Sequence, residues 1–160
     1  MADMLVKLYD LPPLEPVLAR LEAERIAVRR ALAAEKHVVV GWVAEHFWPH
    51  WRSECEVAFC RQPISCYVAV RDNSMLGFAC YDVTRKGFFG PTGVAEAARG
   101  RGVGRALFLA CLHSMWIEGY GYAIIGGVGP VEFYRQAAGA IEIPDSTPGV
   151  YRGLLTEGAP

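Results

Sequence analysis

The chain has 160 residues, 52% of them apolar and 21% charged, with a formal net charge of −1 at pH 7. That size and apolar share suit one folded domain with a real core and exclude a disordered chain. The near-neutral balance excludes a global electrostatic grip on nucleic acid and leaves room only for a local basic patch. The five cysteines (Cys55, Cys60, Cys66, Cys80, Cys111) are odd in number and form no C-x-x-C pair. This speaks against a disulfide framework or zinc knuckle and for free, buried thiols in a reducing cytosol. The N-terminal MADMLVKLYD shows no signal-peptide pattern, and no apolar run reaches the ~18 residues of a membrane span. The expected location is therefore cytoplasmic, with no membrane and no nucleic acid as partner.

Taken in chain order, Leu14, Val17, Leu18 and Leu21 follow the i, i+3, i+4, i+7 rule and predict a first helix. IAVRRAL, from Ile26 to Leu32, is ambiguous and fits a short strand. Val39, Trp42, Val43, His46 and Phe47 share one helical face, with Pro49 as its end. Ser53 and Glu56 fit a capping box opening a short helix that reaches about Cys60. SCYVAV (65–70) and MLGFACYDV (75–83) flank the turn Asp72-Asn73-Ser74 and read as a hairpin. FFGPTGV (88–94) is a third strand, interrupted by glycines and Pro91. An almost wholly apolar helix runs from about Gly104 to Gly119, a good C′ stop, and must be buried against a sheet. YAIIG (122–126) is a short buried strand of the parallel type. Pro130 and Gly139 mark the start and end of another helix. AIEI and GVYRGLL close the chain as strands. The order predicts an α+β fold, a mixed and mostly antiparallel sheet with one parallel βαβ unit and flanking helices.

Between the strand ending near Val94 and the helix starting near Gly104 lies AARGRGVGR. A helix N-terminus offers unpaired N–H groups and a positive dipole end, which attract phosphates. Gly100, Gly102 and Gly104 allow close approach, and Arg99, Arg101 and Arg105 add charge-assisted donors. The segment reads as a pyrophosphate-binding turn. Its spacing is neither the Rossmann G-x-G-x-x-G nor G-x-x-x-x-G-K-[ST]. RGG-type RNA segments occur in disordered tracts, not before a buried helix.

Arg99-x-x-Gly102-x-Gly104 matches the R/Q-x-x-G-x-G/A signature of the GCN5-related N-acetyltransferases, and TGVAEAARGRGVGRALF resembles their acetyl-CoA motif in register. Downstream, EFYRQAAGA resembles the family's F-Y-x-x-x-G-F/A segment. The resemblance covers about residues 65 to 155 and thins out before residue 60. It implies a single acetyltransferase domain over 1–160. Residues 1–64 would form a variable acceptor-side part and 65–155 an acetyl-CoA-binding core. The co-substrate would be acetyl-CoA without a metal, and the acceptor a small-molecule or peptide amine, with a homodimer an open option. Arg99, Gly100, Arg101, Gly102, Val103, Gly104 and Arg105 would hold the coenzyme A pyrophosphate. The strand around Val94 would bond the pantetheine arm like an added strand, and the Val94 N–H would point at the thioester oxygen. Tyr134 falls on the family's general-acid position. Two departures stand out: Gly127 replaces an Asn often found seven residues before that tyrosine, and Pro130 an Ala four before it. A catalytically silent acyl-CoA sensor would need the loop but neither Tyr134 nor an acceptor cleft.

Several residues keep two readings. Tyr134 is an acid or an amphipathic core aromatic. Glu54 and Glu56 hold a cationic amine and help deprotonate it, or Glu56 merely closes the capping box. Asp82 is a base or a strand-end surface residue, and Arg29-Arg30 a carboxylate binder or a solvated pair. His46 and His50, separated by Pro49 and lacking a third ligand, fit the aromatic neighbourhood of Trp48 and Trp51 better than a metal. With KGFFGPT free of carboxylates, the general base stays unassigned. The cluster Trp42, Phe47, Trp48, Trp51 with Glu54 and Glu56 is expected to wall an acceptor cleft.

Overall fold

The computed structural model describes residues 1–156. Its strands are β1 (Met4–Lys7), β2 (Ala27–Arg30), β3 (Cys66–Arg71), β4 (Ser74–Tyr81), β5 (Phe88–Val94), β6 (Tyr122–Ile125) and β7 (Ile141–Glu142). Its helices are α1 (Glu15–Glu22), α2 (Lys36–His46), α3 (Pro49–Ala58), α4 (Val103–Ile117) and α5 (Val131–Ala138). The strands form one sheet in the order β2-β3-β4-β5-β6-β1-β7. Every neighbouring pair is antiparallel except β5–β6. The expected α+β sheet with one parallel βαβ unit is present, the crossover being α4. No described helix is long and apolar enough to cross a membrane.

The sheet separates two apolar layers. On one face α1, α4 and α5 pack Leu21, Leu107, Phe108 and Tyr134 against Val6, Tyr81 and Phe89. On the other, α2 and α3 pack Val39, Val43, Cys55 and Ala58 against Val68, Phe78 and Cys80. Alternation sends Phe78 and Cys80 to one layer and Ala79 and Tyr81 to the other, as the period of a strand demands. Helix α4 is buried on nearly every side, which its unbroken apolar sequence requires.

Four local expectations change. Pro49 does not merely end a helix: α2 stops at His46, and Pro49 opens α3 at its first turn, where a missing N–H costs nothing. Ser53 is therefore inside α3. Its hydroxyl donates to the Pro49 carbonyl, and Glu56 pairs with Arg52 one turn back, so there is no capping box. GVYRGLL is not a strand. Gly149 and Gly153 take positive φ, and Gly149–Tyr151 form a 3-10 turn behind Pro148. Finally, the N-terminal MLVK is a strand, β1, inserted between β6 and β7 with Met4 and Val6 fully buried. A four-residue strand with three consecutive apolar residues shows no alternation to be noticed in the sequence.

Candidate active site

The parallel pair β5–β6 is short, with only Phe88 opposite Ile124 and Phe89 opposite Ile125. β5 then runs on to Val94, while β6 has ended, so this edge of β5 has no strand partner among the described residues. On the other edge, Ala95 N–H donates to the Leu76 carbonyl at 2.8 Å, and Gly77 stands opposite Val94. Antiparallel ladders alternate their donors from edge to edge. Val94, and Thr92 two residues before it, therefore turn N–H and C=O toward the open edge. Arg99 approaches from that side, its Nε donating to the Val94 carbonyl at 3.3 Å. Thr92 is a second open-edge donor that the sequence reading did not single out; strand register is the signal that finds it.

After Val94 a 3-10 turn over Glu96–Ala98 leads into the arginine–glycine loop. Gly100 has φ +77° and Gly102 φ +87°, and a Cβ built on either would meet nothing within 4 Å. Backbone conformation, not crowding, explains these glycines, and the space before them is open. Gly102 is the N-cap of α4, its carbonyl accepting from Ala106 N–H. The N–H groups of Val103, Gly104 and Arg105 then lack carbonyls of their own helix. Val103 turns its side chain into the core, so only its backbone faces a ligand. Gly104 has ordinary space: an added Cβ would touch Val94 Cγ2 at 3.5 Å.

The three arginines do not converge. Arg99 is folded back on Val94, and Arg101 pairs with Glu24 at 3.5 Å across the loop. Arg105, exposed on the first turn of α4, lines a groove of about 460 Å³ with Lys7, Asp10, Gln136 and Gly139. All three are surface side chains on flexible stems.

On the α2–α3 face the aromatic cluster divides. Phe47 lies directly over Gly93, where an added Cβ would stand 2.3 Å from its ring. Trp42, Phe47 and Trp51 surround Phe78. Trp48, 66% exposed, lies apart from this group. His46 stacks on Trp42 and bonds its carbonyl through Nδ1, and His50 meets Trp51 edge-on. Glu54 accepts a hydrogen bond from the Thr84 hydroxyl. Nearby, Tyr151 of the C-terminal 3-10 turn sits with its hydroxyl over Gly126, where β6 ends, and close to Phe88. Burial pushes the Tyr151 pKa up, helped by the Glu54 charge, while a bond to Thr84 opposes the shift. Glu54, Thr84 and Tyr151 thus gather where β5 and β6 part. Glu56 does not join them, being held by Arg52 at 3.2 Å on the outer side of α3.

Tyr134 lies on α5, packed edge-to-face against Phe89, Phe108 and Phe133. Burial alone pushes its pKa up to about 12, so the phenol keeps its proton at neutral pH. Helix α5 ends at Gly139, φ +63°. Four residues separate Tyr134 from that glycine, one more than in the F-Y-x-x-x-G pattern. The turn before α5 is shaped by Asp3, whose carboxylate accepts from Gly127 N–H at 2.9 Å.

Two expectations of solvated side chains fail. Asp82 is buried at φ +58° and accepts from Arg61 Nη2, the Tyr120 hydroxyl and Gly87 N–H. With three donors on its carboxylate it is a structural anchor of the β4–β5 connection. Arg29 pairs with Glu35, while Arg30 is half-buried, donating to the Ile64 carbonyl, Tyr81 and Ser114. Polar partners across the sheet edge bury this arginine, which local sequence cannot reveal.

Comparison with known proteins adds a family to this geometry. No curated protein matches the chain. Solved structures do. A GCN5-related glucosamine N-acetyltransferase region of a fungal multi-domain β-N-acetylglucosaminidase superposes with a TM-score of 0.73 at 17% identity, covering 89% of this chain and 19% of that one. A GCN5-related N-acetyltransferase from Sphaerobacter thermophilus gives 0.61 at 20% identity, covering 89% and 48%. A Drosophila protein gives 0.61 at 14%, covering 89% and 47%. The chain thus spans half or less of the length of these structures, and the likeness is one of fold. The model of the Acetyltransferase (GNAT) family matches residues 27–139, from the start of β2 through the glycine loop to the glycine that ends α5. With well over half of its length so matched, the chain belongs to the GNAT acetyltransferase family.

Proposed function

We propose that the protein transfers the acetyl group of acetyl-CoA to a primary amine by direct attack within a ternary complex. The observation that carries this reading is the open edge of β5 leading straight into a left-handed glycine turn at a helix N-terminus. An amide-bearing arm can add to that edge while its pyrophosphate rests on the N–H groups of residues 100–105. The first turn of α4, with Arg105, receives the phosphates, and the groove shared with Lys7 and Gln136 takes the nucleotide end. Arg99 then exchanges the Val94 carbonyl for a phosphate. Residues 65–155 form the cofactor-holding part, joined at the groove by Lys7, and α2 and α3 within residues 1–64 the acceptor side of one domain.

In the reaction the amine first loses a proton, through water, to Glu54. Its lone pair attacks the thioester carbonyl, and the oxyanion is held by the open-edge N–H groups of Val94 and Thr92. Collapse expels the thiolate, which takes a proton from Tyr134. A thiol pKa near the ~8.5 of cysteine makes that leaving group fair even unaided. The test is release of coenzyme A thiol on mixing with acetyl-CoA and a library of amines, glucosamine among them because of the fungal region's name. Release that requires an amine supports transfer. Tight coenzyme A binding with no acceptor in a broad library instead identifies a sensor.

Tyr134→Phe is expected to lower turnover about 10²-fold, the low end of a general acid's contribution, with coenzyme A affinity and melting temperature kept. The ring contacts with Phe89 and Phe108 survive in phenylalanine. Unchanged turnover with chemistry rate-limiting removes Tyr134 from the mechanism.

The two carboxylates of α3 separate cleanly. Glu54→Gln should raise KM for a cationic acceptor roughly tenfold, the worth of one charge-assisted contact of about 1.4 kcal/mol, and lower kcat as the proton acceptor is lost. Glu56→Gln should leave KM and stability alone, since its exposed ion pair with Arg52 is worth under about 0.5 kcal/mol. Steady-state kinetics with the best acceptor decides. Equal effects of the two substitutions contradict the assignment.

A further inference from the structure

Beneath α3, in the layer that packs α2 and α3 on the sheet, three thiols meet. Cys55 comes from α3, Cys66 from β3 and Cys80 from β4, each fully buried. Their sulfur atoms all lie within 4.8 Å of one another. Cys66 and Cys80 stand directly opposite each other across the β3–β4 ladder. Tyr81 N–H donates to the Ser65 carbonyl one residue along, which makes Cys66–Cys80 a non-hydrogen-bonded pair, with its side chains on the close spacing. Cys55 descends from the helix onto this pair.

What such a cluster takes is decided by ligand count and charge. Three sulfurs bonded to one centre at about 2.3 Å stand no more than ~4 Å apart, so small side-chain rotations suffice. Among the described residues no histidine, carboxylate or fourth thiol completes a tetrahedron here, whereas structural zinc is bound by four ligands. Nor does a cation among the described residues act on these thiols; the charge that does is the carboxylate of Glu56, on Cys55. Three thiolates around a monovalent or divalent ion would leave net negative charge in an apolar core, at heavy desolvation cost. A trivalent centre leaves none.

We propose that Cys55, Cys66 and Cys80 form a binding site for a trivalent group-15 centre, arsenite or antimonite, held as a neutral tris-thiolate. The exchange is balanced without any redox partner. Each of the three As–O bonds of As(OH)₃ is replaced by an As–S bond. Each thiol proton leaves with a hydroxide as water, and arsenic remains trivalent. Arsenite is itself uncharged at neutral pH, so it enters an apolar layer that excludes hydrated ions. The product ties α3 to β3 and β4 at a point one residue from Glu54. The site does not depend on the acetyl-transfer reading.

The test uses the whole protein, reduced with a phosphine so that no competing thiol is present, and sodium arsenite as probe. Native mass spectrometry should show one arsenic gained and three hydrogens lost. The same stoichiometry is expected for the Cys60→Ala/Cys111→Ala double variant, which keeps only the cluster. Cys55→Ala should lose affinity at least about 100-fold, because one intramolecular bond of the chelate is gone. Its far-UV circular dichroism checks that the fold persists. Cys80→Ala serves as a second variant should Cys55→Ala unfold. The melting temperature of the wild type should rise with arsenite, as for any ligand that prefers the native state. No adduct on the folded wild type, equal affinity in the cluster variants, or a melting temperature that falls with arsenite, the mark of capture by the unfolded chain, each overturns the proposal.

Discussion

Gly102→Val should cost the protein its coenzyme A while leaving a folded chain. Gly102 caps α4 at φ +87°, where a β-branched residue is strained by about 1–2 kcal/mol. Space is no obstacle in the protein itself, since nothing lies within 4 Å of the new Cβ. The obstacle is to the ligand, because the added isopropyl group occupies the region through which a pyrophosphate reaches the N–H groups of the turn. Charge-assisted hydrogen bonds are worth about 1.5–3 kcal/mol each, so losing two weakens coenzyme A roughly 10²-fold or more. Calorimetric titration measures this, with circular dichroism as the check on folding. Gly104→Ala is the control: its Cβ makes an ordinary contact with Val94, and affinity should stay within a few-fold of the wild type. Unchanged affinity in a folded Gly102→Val protein would place the cofactor elsewhere.

The largest loss of stability is expected at Asp82, outside the site. Its side chain is fully buried and accepts from Arg61, Tyr120 and Gly87. Removing one member of a buried ion pair typically costs 3–5 kcal/mol. Arg61 is one-third exposed and has Glu118 as a second partner at 3.9 Å, which moderates the loss. Asp82→Ala should therefore destabilise by about 3 kcal/mol, a large share of a typical 5–15. Asp82→Asn keeps the residue type that tolerates φ +58° and part of the bonding, so it should cost clearly less. Urea unfolding reads both as a lower midpoint at unchanged slope. An Asp82→Ala midpoint equal to the wild type contradicts the anchoring role.

How much was readable in advance depends on the range of the interaction. The βαβ unit, the hairpin and the glycine turn are written in contiguous residues, by alternation, by an apolar run and by positive-φ glycines. The part proposed for Val94 follows from the same stretch through the family motif, and that of Thr92 needs only the register of β4 on β5. Nothing contiguous announces that Tyr151, near the far end of the chain, sits beside Glu54 over Gly126. Apart from the Gly87 N–H five positions on, the partners that bury Asp82 and Arg30 lie 21 to 84 positions away. The thiol cluster escaped for the same reason. Spacings of 11 and 14 residues match no metal-ligand pattern, and only the pairing of β3 with β4 under α3 turns three unremarkable cysteines into neighbours. The Ser53–Glu56 pattern misled in the opposite way, because Pro49 four residues earlier is the stronger start signal.

The division of the interior by the sheet has a practical consequence for engineering. Gly77 and Gly93, on neighbouring strands, are the thin points of the partition: Gly77 faces Leu107 of α4, and Gly93 faces Phe47. Arg30 also joins the two layers, donating to Tyr81 of one and to the Ile64 carbonyl of the other; away from it and from these glycines, substitutions on the α2–α3 side and on the α4 side should add without interference. On the proposed division of labour, a combinatorial library confined to Trp42, Phe47, Trp51 and Glu54 can be searched for new acceptors while the α4 side is carried through every round unaltered.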